Sequence, residues 1–103
     1  MTGRLATNDI AAANTDYEIY TVPTGKVASF SICMVNRTSN TVTVQIALSD
    51  SNTISSDEYI AFNVQIYPGE VYERSGFVLG QGFSIFVRAS TTGVNAVVYG
   101  YEE

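Results

Sequence analysis

The stretch Thr41–Ser49 constrains this chain more than any other, because Val42, Val44, Ile46 and Leu48 alternate with Thr41, Thr43 and Gln45. Successive side chains of a β-strand point to opposite faces, so this alternation describes a strand with one face on a core. A helix would scatter the same apolar residues around its axis. Short β-type runs separated by turn residues continue from Tyr17 to Tyr101. That is the pattern of a sandwich or barrel.

Tyr17–Val22 leads into Pro23-Thr24-Gly25, where proline presets a tight turn. Lys26–Asn36 follows, with Phe30, Ile32 and Met34 on one face and Val27, Ser29, Ser31, Cys33 and Val35 on the other. Arg37-Thr38-Ser39-Asn40 reads as a hairpin loop before the Thr41–Ser49 strand. The polar connection Asp50–Ser56 precedes Glu58–Ile66, whose Phe62, Val64 and Ile66 are expected to face one way. Tyr67-Pro68-Gly69-Glu70 is a type II turn by its proline and glycine positions. Val71–Arg74 reads as a short strand, Gly76–Gly82 as a glycine-punctuated crossing, and Phe83–Ala89 and Val94–Tyr101 as the last strands. Residues 1–16 are small and polar without a sustained period, and are expected to form an extended arm.

The expected fold is therefore an all-β, antiparallel β-sandwich of seven to eight strands over residues 17–103, with an N-terminal arm over 1–16. Jelly-roll and immunoglobulin-like topologies both satisfy the pattern. A chain of 103 residues has room for one such domain.

Composition narrows the chemistry. The formal charge is −5, and Arg4, Lys26, Arg37, Arg74 and Arg88 are scattered. A nucleic-acid binder needs a basic footprint, so no nucleic-acid partner is expected. No stretch reaches the ~20 apolar residues of a membrane helix, and no membrane partner is expected. The N-terminus lacks the apolar core of a signal peptide, which points to synthesis in a cytoplasm. Cys33, the single cysteine, lies within an apolar run and is expected to be a buried thiol.

The sequence contains no histidine, the commonest general base and metal ligand. No serine-histidine-acid set or phosphate-loop motif can be assembled, and Gly80-Gln81-Gly82 precedes a strand where a phosphate loop precedes a helix. Asp50, Asp57 and Glu58 crowd one connection without the spacing of a calcium loop, and read as solvated acids. Asn36-Arg37-Thr38 matches the glycosylation pattern and reads as a turn. Tyr99 and Tyr101 alternate along the last strand, so they and Tyr67 are candidates for an aromatic, sugar-binding surface. The reading is a non-enzyme with no cofactor and no metal.

Five segments occur in order: Tyr20–Ala28 (YTVPTGKVA), Val35-Asn36-Arg37, Glu58-Tyr59-Ile60, Glu73-Arg74-Ser75-Gly76 and Val98–Glu102 (VYGYE). Together they resemble a group of short tailed-bacteriophage virion proteins, β-sandwiches that include capsid decoration, or cement, proteins and other small head or tail components. The resemblance spans most of residues 17–102. It implies a structural role on the outer surface of the assembled head, with the major capsid protein or another virion protein as partner. It also implies a symmetric homo-oligomer, with a trimer favoured. The expected interface joins the arm residues Thr2, Arg4, Leu5 and Ile10 with Arg37 and the low-charge strand positions Thr41, Thr43 and Gln45. A neck, tail or fibre component and a carbohydrate-binding module are the alternatives.

Overall fold

The alternating stretch forms the strand expected of it, with Val42, Val44 and Ile46 each 1% exposed or less. The computed structural model describes residues 2–103. In chain order it contains β1 (Thr2–Asp9), β2 (Tyr17–Thr21), β3 (Ala28–Asn36), β4 (Val42–Ser49), β5 (Tyr59–Ile66), β6 (Val71–Leu79), β7 (Ser84–Ala89) and β8 (Val94–Glu102), and no helix among the described residues.

The pairing reveals how the chain wraps. β1 pairs with β8, β2 with β7, β3 with β6 and β4 with β5, all antiparallel. The chain thus doubles back on itself as one long ribbon, with its tip at the β4–β5 connection. Rolling that ribbon brings β3 against β8 and β4 against β7. Two four-stranded sheets result, β1-β8-β3-β6 (sheet 1) and β2-β7-β4-β5 (sheet 2). This is a jelly roll, and it resolves the choice between the two topologies. An immunoglobulin-like sandwich of the constant type divides seven strands four and three.

Between the sheets, Ile32 and Met34 of β3 and Val94, Ala96 and Val98 of β8 meet Val44 and Ile46 of β4 and Ile85 of β7, all 0% exposed. Burying each of the larger side chains contributes about 1.5–3 kcal/mol. Apolar side chains from both sheets meet in this interior.

Residues 2–9, expected as part of an arm, are an integral edge strand of sheet 1; Met1 lies outside the described residues. Ile10 then enters the core at 2% exposure, and its amide donates to the Val94 carbonyl at 2.9 Å. The segment hides its strand character because an edge strand buries little. Arg4, Thr7 and Asp9 are exposed, and Leu5 and Ala6 only half-buried.

Every edge strand carries an irregularity, whereas the central pairs β3–β8 and β4–β7 run in unbroken register. In β1 the extra residue is Leu5, and in β2 it is Ile19. In β6 the step from Phe77 to Arg74 faces the shorter step from Phe30 to Ile32, with Gly76 at φ 85°. β6 therefore continues through Gly76 to Leu79, correcting the short strand and crossing expected there. Bulges at edges bend the strand and blunt its unpaired hydrogen-bonding groups. Docking by strand addition is correspondingly disfavoured, which leaves the two sheet faces and the loops.

Candidate functional site

On the outer face of sheet 1, β3 presents Ser29, Ser31, Cys33 and Val35, because Ala28, Phe30, Ile32 and Met34 point inward. Tyr101 stands opposite Ser29 and Tyr99 opposite Ser31, while Val78 flanks Ser29 from β6. Val27 extends the row, its amide and carbonyl exchanging bonds with Glu103 at 2.9 and 2.8 Å. Among the described residues, Val27, Val71, Val78, Tyr99 and Tyr101 of this face are 44, 55, 65, 38 and 43% exposed. The Tyr99 hydroxyl donates to the Glu73 carboxylate, which tethers that ring across β3.

A groove of about 380 Å³ opens on this face between the two tyrosines and β6. Tyr99, Tyr101 and Val78 line it with side chains, and Ser29 and Ser31 supply hydroxyls, while the Phe77 ring turns inward against the core. Phe77 stacks on Phe30 at 5.4 Å between centroids, and the Arg74 guanidinium lies 5.7 Å from the Phe77 ring. Gly100 separates the tyrosines at φ 151°, and a Cβ there would stand 2.0 Å from the Ser29 carbonyl oxygen. Only glycine lets β8 lie this close to β3, so the tyrosine pair depends on it.

The outer face of sheet 2 is built differently. Ala47 of β4 and Phe86 of β7 are paired and 1 and 6% exposed, yet they lie outside the main core. Tyr59 of β5 is opposite Ala47, and its ring meets Phe62 edge-on at 5.0 Å and 76°. Phe62 was expected to share one face with Val64 and Ile66, which point inward. The β5 bulge, with Asn63 at φ 53°, overturns this: Ala61 takes the inner position and Phe62 is 58% exposed. Asparagine tolerates that left-handed backbone better than most residues. Its side chain accepts from Gln45 Nε2 at 2.9 Å.

The residues singled out from the sequence separate into three places. Leu5 packs against the core and Ile10 lies within it. Arg4 is exposed at the margin of sheet 1, where its backbone pairs with Tyr99 as that of Thr2 pairs with Tyr101. Arg37 binds Asp9 at 2.5 Å and Asn95 at 3.1 Å, holding the loop after β3 to β1 and β8. Thr41, exposed, and Thr43 and Gln45, half-buried, belong to β4 and its approach. The structure therefore does not bring the predicted eight into one surface. The signal missed was Phe62 and Tyr59, which the sequence places on a strand without revealing the bulge that turns Phe62 outward.

Other candidates have structural employment. The Asn36 side chain, 0% exposed, donates to the carbonyls of Asn40 and Ile66 at 2.7 and 2.9 Å and accepts from the Thr38 amide at 2.8 Å. The apparent glycosylation motif is a buried turn device. Glu58 accepts from the Ser55 amide at 2.7 Å, and no three acidic, histidine or cysteine residues converge as a metal site among the described residues. Cys33 is half-buried on the outer side of β3, outside the core expected to hold it. Burial, and then the charge of Glu73, push its thiol pKa up, which lowers its nucleophilicity at neutral pH. Tyr20 of sheet 2 donates to Glu102 of sheet 1, and burial together with that carboxylate pushes its pKa well above the ordinary tyrosine range. Tyr67 is 58% exposed in the β5–β6 turn, where the Glu70 amide donates to its carbonyl at 3.0 Å. It is not a wall of the groove.

No family model matches the chain, and no characterised protein matches it in sequence. Among solved structures, it is similar to a de novo designed double-stranded β-helix at 15% identity, covering 94% of this chain and 97% of that one, TM-score 0.41. A pentameric capsid protein from metagenomic phage sequences is 15% identical, with 95% of this chain and 63% of that one covered, TM-score 0.45. The capsid of Helicobacter pylori bacteriophage KHP30 supplies a chain 15% identical, with 100 and 94% covered, TM-score 0.43. Phage capsid proteins are thus among its structural neighbours.

Proposed function

We propose that this chain is a non-catalytic structural protein of a bacteriophage virion, a decoration protein that binds the outer surface of the assembled head and stabilises it. The proposal takes its virion from the segment resemblance and its binding mode from the fold. A jelly roll with bulged edges recognises partners through its faces. The partner is the major capsid protein, and the working form is a symmetric homo-oligomer, a trimer first.

The observation that carries the docking surface is the outer face of sheet 2. Thr43 and Gln45, expected as interface residues, share it with the exposed Phe62 and its partner Tyr59. An aromatic anchor among neutral polar residues has the make-up of an interface centre. Two charges lie on it: Glu18 at the β2 edge, and Arg88, opposite Gln45 on β7 and 3.5 Å from Asp16. Arg4 and Arg37, on sheet 1 and its end, lie outside this surface.

Cosedimentation with assembled heads and with unassembled shell subunits tests the reading. The protein is expected on heads at near-stoichiometric occupancy and absent from free subunits. Phe62→Asp, checked for an unchanged circular dichroism spectrum, is expected to weaken attachment by about thirtyfold. Full occupancy by the folded variant removes sheet 2 as the docking face. Recovery at a few copies per particle places the protein at the neck or tail instead. Deletion of residues 2–14 does not test docking, because it strips an edge strand from sheet 1.

A further inference from the structure

We infer that the groove on the outer face of sheet 1 is a binding site for a neutral saccharide, one or two pyranose rings in size. The inference does not rest on the virion reading.

Size and shape come first. Ligand pockets span about 300–1,000 Å³, and a groove of about 380 Å³ fits a ring or two and not a helix or a strand. The bulge at Gly76 on one side and at Leu5 on the other withdraws the flanking edges from strand addition.

Chemistry selects among small ligands. Tyr99 and Tyr101 offer aromatic surface two residues apart on one strand, with the exposed Val78 across β3 from them. The C–H face of a pyranose stacks on such rings, while its hydroxyls demand hydrogen-bonding groups at the periphery. Ser31 and Ser29 stand directly opposite the two tyrosines and provide them. At the rim, Glu73 Oε2 is taken by the Tyr99 hydroxyl, which leaves Oε1 to accept from a sugar hydroxyl. That bond also holds the Tyr99 ring in place before a ligand arrives, so less freedom is lost on binding.

Charge excludes the acidic sugars. None of the residues lining the groove is charged, Glu73 at its rim is an acid, and the chain carries −5. An anionic ligand would meet repulsion without a counter-ion. A purely apolar ligand would leave the serine hydroxyls and the Glu73 oxygen unpaired.

The test is a glycan array of neutral and acidic oligosaccharides probed with the full chain, followed by amide-resolved NMR titration with chitobiose, maltose and lactose. Binding to a neutral glycan is expected, with shifts confined to Ser29–Ser31, Gly76–Val78 and Tyr99–Tyr101. Tyr99→Ala with Tyr101→Ala is expected to weaken binding by about tenfold or more. Val78→Arg, which intrudes on the groove from an exposed position and keeps both tyrosines, is expected to do the same if the double variant does not fold. No binding, binding to acidic glycans alone, shifts centred on Tyr67, or unchanged affinity in folded Val78→Arg each overturns the site. Head attachment reads the other face, so Phe62→Asp is expected to retain glycan binding.

Discussion

The two sheets have the same strand count and opposite ways of finishing their outer faces. Sheet 1 leaves Val27, Val71, Val78, Tyr99 and Tyr101 exposed around a groove, with β3 contributing small hydroxyl side chains between them. Sheet 2 closes its outer face, hiding Ala47 and Phe86 and leaving Phe62 as the protruding ring. The difference originates in where each sheet puts its irregularity. In β5 the bulge at Asn63 turns an extra aromatic residue outward, and Tyr59 meets it there. In sheet 1, Gly100 draws β8 close to β3, and the tyrosines on either side of it become walls. A closed face with one protruding ring suits a flat partner, and an open one with two walls suits a small ligand.

The most damaging way to break this contrast is Gly100→Ala. The new Cβ would stand 2.0 Å from the Ser29 carbonyl oxygen, which is backbone and cannot swing aside. Chemical denaturation is expected to show a loss of about 3 kcal/mol or more, by steric strain and disruption of the β3–β8 ladder. A loss below ~1 kcal/mol would mean that the strand approach is not what shapes the groove.

A second substitution sharpens the contrast between closed and open. Ala47→Glu places a charge where the side chain is 1% exposed, and is expected to cost about 3 kcal/mol. Ser31→Glu, on the half-buried opposite face, is expected to cost about 1 kcal/mol or less. Equal losses in urea midpoints would show that the two faces are covered alike.

The smallest effect concerns one of the bonds that join the sheets. Tyr20→Phe removes the hydroxyl that Glu102 accepts, and is expected to cost about 1 kcal/mol near neutral pH. Because the folded pKa of Tyr20 is raised, its neutral form is favoured by folding. That stabilisation is whole below the unfolded value of about 10 and is lost as pH rises beyond it. The stability gap between wild type and Tyr20→Phe should therefore be constant up to about pH 10 and shrink above it. A gap that widens with alkali in paired denaturation curves would contradict the Tyr20–Glu102 tie.

Alternation alone determined much of this molecule. Val42, Val44 and Ile46 had to share a buried face, and Phe30, Ile32 and Met34 likewise, because a strand has a period of two whatever its neighbours. The turn at Tyr67–Glu70 was equally local, a matter of proline and glycine backbone preferences. Tertiary structure decided the rest. The strand Thr2–Asp9 was invisible because an edge strand needs little apolar surface, and its pairing with β8 joins residues 86 to 99 positions apart. The bulge that exposes Phe62 depends on register against β4, and the jelly-roll order depends on which strands meet after the ribbon rolls. Period-2 patterning tells each strand which side is inward. It carries no information about which strand lies beside it, and so neither outer face could be assembled until the pairings were known.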